Sequence, residues 1–231
     1  NNKTSLYGAG IYTNGIASLS ITGGTVSNNE IVVNTSMSQY QGGSGIDIDG
    51  TEFTIAGTTI ADNKTNGYGA GIYIENTTQT GTIKNCVITG NQATDNIGGG
   101  IVLSSGDLTL NGTTNVNSNI ANQGGQGVYV GAGATVKIQD TVKIVGANDV
   151  ALESGAFITV SDDFTGASYA SPISITSADE LVETDAAAGT PLVVYTVAAG
   201  GEAEAKKASQ GKYFIPSTFM PTGLNIGQSA I

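Results

Sequence analysis

Gly-x-Gly-(Ile/Val) occurs five times in this chain, at Gly8–Ile11, Gly43–Ile46, Gly69–Ile72, Gly98–Ile101 and Gly125–Val128. Each copy is answered downstream by (Val/Ile)-x-x-Asn. These second signals end at Asn29, Asn63, Asn91, Asn119 and Asn148, with Val26, Ile60, Ile88, Val116 and Val145 three residues before. Spacing between copies of the first motif runs from 26 to 35 residues. Self-similarity at such a period marks a stacked repeat, because one unit is too small to bury a core alone. A propeller blade needs ~40 or more residues and four strands. Leucine-rich repeats fit the length, but their Leu-x-x-Leu-x-Leu pattern is absent.

Within each unit, short runs alternate between apolar and other residues, which is the period of a strand with one face in and one out. Ile72-Tyr73-Ile74 and Val128-Tyr129-Val130 follow Gly-x-Gly; Leu19-Ser20-Ile21, Phe53-Thr54-Ile55, Leu108-Thr109-Leu110 and Val136-Lys137-Ile138 form a second run. The (Val/Ile)-x-x-Asn signal belongs to a third. No helical period crosses residues 1–150, where Gly and Asn are too dense for stable helices. Three short strands and three turns per unit predict an all-β fold, a right-handed parallel β-helix, the hand following from the general preference of parallel crossovers. Coils would lie about 4.8 Å apart. Ile11, Ile46, Ile72, Ile101 and Val128 are expected to stack inside, and the Asn column to sit in a turn with its amides bonded to neighbouring coils. Gly fits corners that need positive φ or close approach.

Asn1–Tyr12 aligns without gaps on Asp62–Tyr73, so Asn2 takes the place of a ladder Asn. The expectation is a chain cut mid-repeat from a longer protein, with more coils N-terminal to residue 1. Composition changes near residue 150: eighteen of nineteen Asn precede it, and Pro172, Pro191, Pro216 and Pro221 follow it. Residues 1–150 are therefore read as β-helix coils and 151–231 as irregular terminal coils forming a cap, the alternative being a separate β-domain. Strand-like runs occur at Phe157–Val160, Ile173–Ile175, Leu192–Val197 and Tyr213–Pro216, and a short helical turn is expected at Glu202–Ala208.

The formal net charge is −11, with eight Lys and no Arg or His. A nucleic-acid or anionic-membrane partner needs a basic footprint, which this chain lacks. No run approaches the ~18 apolar residues of a membrane span. Cys86 is the single cysteine; without His it has no catalytic partner and reads as core. Gly-x-Gly here leads into strands rather than from strand to helix, against a dinucleotide loop.

Carboxylates supply the candidate chemistry. In Gly45-Ile46-Asp47-Ile48-Asp49-Gly50, alternation puts Asp47 and Asp49 on one outer face about 7 Å apart. That spacing suits the paired carboxyls of glycoside hydrolysis. Asp162/Asp163 is a second acid pair. Asp47, Asp49 and Glu52 are a weak Ca²⁺ candidate, since hard cations take oxygen ligands. The bland reading for all of them is solvated strand-end acids. Tyr12, Tyr73 and Tyr129 take the outward slot between two inward residues, with Asp47 and Val102 in that slot elsewhere. Outward Tyr beside an acid is a candidate sugar-binding face; the bland reading is β-propensity and packing. Tyr7 and Tyr68 read as corner-packing residues. An ice-binding face would need one regular Thr register, which Thr58-Thr59, Thr77-Thr78 and Thr113-Thr114 do not keep.

Gly8-Ala9-Gly10-Ile11 and Gly98-Gly99-Gly100-Ile101, with Ile60-Ala61-Asp62-Asn63 and Ile88-Thr89-Gly90-Asn91, resemble the Gly-Gly-Ala-Ile and Phe-x-x-Asn repeats of bacterial polymorphic outer-membrane and autotransporter-type surface proteins. Residues 1–150 also look like the broader pectin-lyase-like β-helix class. The Arg of pectate-lyase-type enzymes and the Gly-His-Gly and Arg-x-Lys signatures of polygalacturonase-like ones are absent. The resemblance implies an extracellular or cell-surface stalk or adhesin, non-catalytic and without a cofactor, whose partners would be glycans or cell-surface protein. A polysaccharide-active enzyme and a structural spacer are the alternatives.

Overall fold

The computed structural model describes residues 1–32, 42–75, 78, 80–160, 164–167, 173–177, 192–196, 212–213 and 224–225. Among them there is no helix. The strands stack into four sheets rather than the three expected from sequence. The first sheet follows Gly-x-Gly: Ile11–Asn14, Ile46–Asp49, Ile72–Glu75, Ile101–Leu103 and Val128–Val130. The second holds Ser18–Thr22, Glu52–Ala56, Thr80–Lys84, Asp107–Asn111 and Thr135–Ile138, and the third Thr25–Ser27, Thr59–Ala61, Val87–Thr89, Asn115–Asn117 and Lys143–Val145. The additional fourth sheet is built from two-residue strands just after each ladder Asn: Lys3–Thr4, Glu30–Ile31, Lys64–Thr65, Gln92–Ala93 and Ile120–Ala121.

All pairings within these coils are parallel and hold one register. Ile11, Ile46, Ile72, Ile101 and Val128 form the expected inner column. Phe53, Ile55, Ile60, Ile83, Ile88 and Leu110 from the second and third sheets meet it in one continuous buried core. Burying each such side chain is worth roughly 1.5–3 kcal/mol.

The Asn column is a hydrogen-bonded ladder. Asn63 Oδ1 accepts from the backbone N–H (3.1 Å) and Nδ2 (3.0 Å) of Asn29. Asn91 Oδ1 does the same for Asn63, Asn119 for Asn91, and Asn148 for Asn119. The amide nitrogens of Asn63, Asn91 and Asn119 also donate to Val26, Ile60 and Ile88 carbonyls. Every amide of the ladder thus has partners, the condition on which a polar column inside an apolar core is stable.

The ladder explains why the two sequence signals travel together. The first Gly of each motif sits at positive φ, from +37° at Gly8 to +70° at Gly98. The second does not; it is excluded from bearing a side chain by contact. A methyl at Gly71 would stand 3.1 Å from Asn91 Nδ2 and closer still to the Gly100 carbonyl, and Gly45 and Gly100 face Asn63 and Asn119 in the same way. The amide of each ladder Asn fills the space that the second Gly leaves.

Regularity ends in the fifth coil. Val116 pairs with Ile144, and Val145 pairs with Asn117, so the residue in the apolar column is Ile144 and not Val145. One extra residue, accommodated with Gly146 at φ +76°, separates that column from Asn148. The chain then skips the fourth sheet and enters the first directly through Asp149–Leu152. Stacking continues past residue 150: Phe157–Val160 extends the second sheet and Ile173–Ser177 the first. Leu192–Thr196 then joins antiparallel, followed by Lys212–Tyr213 and Leu224–Asn225. Phe157–Val160, Ile173–Ser177 and Leu192–Thr196 fall on strand-like runs of the tail; Lys212–Tyr213 meets the run at Tyr213–Pro216 only at Tyr213, and Leu224–Asn225 matches no expected run. Asp162, Asp163 and the helical turn expected at Glu202–Ala208 lie outside the described residues.

Candidate functional site

The outward side of the first sheet gathers most of the chemistry expected from sequence. Its central rungs read Tyr12, Asp47, Tyr73, Val102, Tyr129 and Ala151 in register. The neighbouring column begins Asn14, Asp49, Glu75 and continues one residue past the strands through Ser104, Gly131 and Glu153. Tyr12, Asp47, Tyr73 and Tyr129 therefore do share one face, as the alternation implied.

That face is not flat and open. Among the described residues, those that lead into Gly-x-Gly stack on one another, as the Gly42–Tyr68 bridge and the bonds from Gln123 to the Asn96 and Asp95 carbonyls show, and Tyr7, Gly42 and Tyr68 lie against the face. Tyr7 stacks on Tyr12 (centroids 5.4 Å, planes 15° apart) and Tyr68 on Tyr73 (6.1 Å, 22°). The corner residues are thus half of two aromatic pairs. Only Tyr12 is freely exposed (43 %); Tyr73 is buried (3 %), although its slot points outward, and Tyr129 is half-buried.

Between these lead-in residues and the sheet runs a groove of about 490 Å³. Tyr68, Tyr73 and Tyr129 supply its aromatic wall, and Glu75, Asn96, Gln123 and Glu153 its polar groups. The Tyr73 hydroxyl hydrogen-bonds to the Glu75 carboxylate. Burial, and then the neighbouring Asp49, raise the Glu75 carboxyl above the usual range. Burial, then Glu153 and Tyr68, push the Tyr129 phenol up.

Asp47 departs most from expectation. Read from sequence as a solvated outer acid, it is 0 % exposed, and neither carboxyl oxygen has a hydrogen-bond partner. The Gly8 amide lies on its side of the fold and opposes the shift, but its N–H is directed to the Gly42 carbonyl. Desolvation first, then Glu75 and Asp49, push the Asp47 carboxyl up to about 8. It is therefore protonated at neutral pH. Asp49 is half-buried and accepts from Asn14 Nδ2 at 2.9 Å; the same amide donates to the Tyr12 hydroxyl.

The proposed Ca²⁺ ligands do not converge. Glu52 opens the second sheet, around the corner from Asp47 and Asp49, and is exposed. Among the described residues no three Asp, Glu, Cys or His side chains gather around a cation position.

Glu75 and Glu153 are groove residues that sequence reasoning did not single out, and Tyr68, read there as corner packing, lines the groove as well. Glu75 was findable, because it holds the repeat position of Asp49. Glu153 follows the irregular fifth coil, where alignment by motif fails. Cys86 is buried, as expected, and its Sγ donates to the Lys84 carbonyl (3.2 Å) and the Ile55 carbonyl (3.4 Å). Thr58 and Thr114 make equivalent bonds one coil away on either side. On the second sheet, Ser20, Thr54, Thr82 and Thr109 do keep one outward register. Lys137 interrupts it at the next rung, and Glu52 and Asp107 lie in the column beside it, so no uniform Thr array results.

A family model described as a right handed beta helix region matches residues 1–142. The chain belongs to the right-handed β-helix family. Comparison with curated proteins and with solved structures finds no match. Family membership accounts for the coil, its hand and its ladders. What a right-handed β-helix does is decided by the side chains it displays.

Proposed function

We propose that this β-helix is a non-catalytic recognition module of a secreted or bacterial surface protein, adhesin- or stalk-like, which binds a glycan in the groove on its first sheet. The groove carries this reading. Its volume, about 490 Å³, is that of a small-ligand site. It sets three tyrosines against amide and carboxylate partners, the mixture that a sugar ring uses through its C–H faces and hydroxyls. The charge of −11 opposes nucleic-acid and anionic-membrane partners. A glycan array tests the reading, followed by titration of Tyr129→Ala with the best hit. Saturable binding that Tyr129→Ala weakens at least about tenfold, as loss of a hot-spot aromatic should, supports it; equal binding by the variant places the contact elsewhere.

One observation favours a second, enzymatic reading. Asp49 and Glu75 stand opposite each other on adjacent strands, and the Glu75 carboxyl is raised, as a general acid requires. Asp47, fully buried, is poorly placed to reach a glycosidic oxygen. Glu75 and Glu153 lie three coils apart, about 14 Å at 4.8 Å per coil, beyond the ~5–9.5 Å of a carboxyl pair. Release of reducing ends, lost in Glu75→Gln, would establish hydrolysis. Absence of release across acidic and neutral polysaccharides would leave the recognition or spacer roles.

A further inference from the structure

Among the described residues of the coils, the first-sheet face concentrates acid and carries no lysine; Lys212 joins that sheet only beyond the coils. Burial first, then the neighbouring carboxylates, raises the Asp47 carboxyl (through Glu75 and Asp49) and the Glu75 carboxyl (through Asp49), and Glu153 lines the same groove as Glu75. Within the coils the lysines stand elsewhere: Lys3 and Lys64 on the fourth sheet, Lys84 and Lys137 on the second, Lys143 on the third. Lys3 is also engaged with Glu30.

A second, independent observation comes from Asp47. A fully buried carboxyl with both oxygens unpartnered is among the costliest polar arrangements in a protein unless a proton or a positive charge accompanies it. Its neighbours along the rung column are Tyr12 and Tyr73, whose ring faces attract cations. Glu75 is the member of the cluster that also borders the groove. A positive group seated at Glu75 would face one carboxylate directly, have Asp47 and Asp49 behind it, and lie against the tyrosine wall.

We infer that the groove selects a cationic glycan, one whose rings carry protonated primary amines, over neutral and acidic glycans. The inference rests on the glycan-binding reading above and names its ligand class. An ammonium brings three donors and a full charge to Glu75 and, at the other end of the groove, to Glu153. N-acetylation removes the charge and two donors. A uronate would add like charge to a cluster that already holds protons to avoid it. Seating a cation favours ionisation of the cluster, so binding releases protons.

The test is isothermal titration of the whole chain, at mildly acidic pH where the glucosamine amines carry their protons, with four probes: glucosamine oligomers, N-acetylglucosamine oligomers of equal length, oligogalacturonate and spermidine. Each is run in two buffers of different ionisation heat and at two salt concentrations. The expected result is that glucosamine oligomers bind at least about tenfold tighter than the acetylated ones. That binding should weaken with salt and carry a buffer-dependent heat that reports proton release. Glu75→Gln should weaken the aminated ligand about tenfold and so erase its preference over the acetylated oligomer; Glu153→Gln is the second variant if Glu75→Gln does not fold. Acetylated oligomers binding as tightly, with loss in Tyr129→Ala, overturn the cationic preference and keep the glycan reading. Spermidine binding as tightly as glucosamine oligomers overturns selection of a glycan. No binding by any oligomer overturns both.

Discussion

Replacing Asn91 by Ala removes one rung from the middle of the amide ladder, and the structure specifies the consequence. Three side-chain bonds and one accepted backbone bond pass through this residue. Its Oδ1 accepts from Asn63 N (3.1 Å) and Asn63 Nδ2 (2.9 Å), and its Nδ2 donates to the Ile60 carbonyl (3.0 Å) and Asn119 Oδ1 (2.9 Å). Asn119 Oδ1 keeps the Asn91 backbone N–H in the variant, and Asn63 Nδ2 keeps the Val26 carbonyl. The groups left unpaired are the Asn63 N–H and one Asn63 amide hydrogen, since the Ile60 carbonyl stays within the parallel ladder between Thr59–Ala61 and Val87–Thr89. Each unsatisfied buried group costs about 1–3 kcal/mol. The expected loss is about 4 kcal/mol, a large share of the ~5–15 kcal/mol that holds a domain together. The urea midpoint should fall by about 1–2 M, and exchange at the Asn63 amide should accelerate far more than at core amides one sheet away. Asn2→Ala is the internal control. The Asn2 side chain donates one 3.2 Å bond to Asn29 Oδ1 at the exposed start of the ladder, and the variant keeps the 3.2 Å bond from the Asn2 backbone N–H, so loss of the side chain should cost less than about 1 kcal/mol. If Asn91→Ala shifted stability no more than Asn2→Ala, or left the Asn63 amide protected, the ladder would not be the stabilising column described.

Gly71→Ala should destabilise by about 2–4 kcal/mol, since its methyl would displace the Asn91 amide and the Gly100 carbonyl. Gly133→Ala, at φ +75° with open space around it, should cost only about 1–2 kcal/mol, the left-handed backbone penalty; thermal melts of the pair separate contact from conformation. Asp47 gives the pH response a sign. Below its unfolded value of 3.8 both states hold the proton, and between there and about 8 only the folded state does. Stability therefore falls as pH rises through that window, by up to about 1.4 kcal/mol per unit, and is lowest above it. Asp47→Asn should flatten this slope in denaturant titrations across pH; an unchanged slope would mean that Asp47 ionises freely. Cys86→Thr should retain full stability because Thr58 and Thr114 already bond the equivalent carbonyls, while Cys86→Ala should cost about 1–3 kcal/mol; urea midpoints compare the two.

The coil was legible in the sequence because its two strongest signals are contacts. Gly-x-Gly and the downstream Asn recur together since the second Gly makes room for the Asn amide, and the inner column follows from alternation. The fourth sheet was not legible: a two-residue strand such as Lys64–Thr65 holds too little chain to show a period of two. Val145 was misplaced because one inserted residue before Asn148 imitates the usual three-residue spacing one step late. For the site, alternation gave the direction of Tyr12, Asp47, Tyr73 and Tyr129 but not their exposure. Burial of Asp47 and Tyr73 depends on residues outside the strands that lie against the face, and no local pattern in the strands records that.

The groove is where the account stands or falls. Amide hydrogen exchange of the chain, free and saturated with the best-binding oligosaccharide, tests it most directly. Slowed exchange confined to Asn96–Ile97, Gln123 and the strands bearing Tyr73 and Tyr129, which line the groove, is the predicted result. Protection on the second or third sheet instead, or none under saturating ligand, would contradict a recognition site on the first sheet.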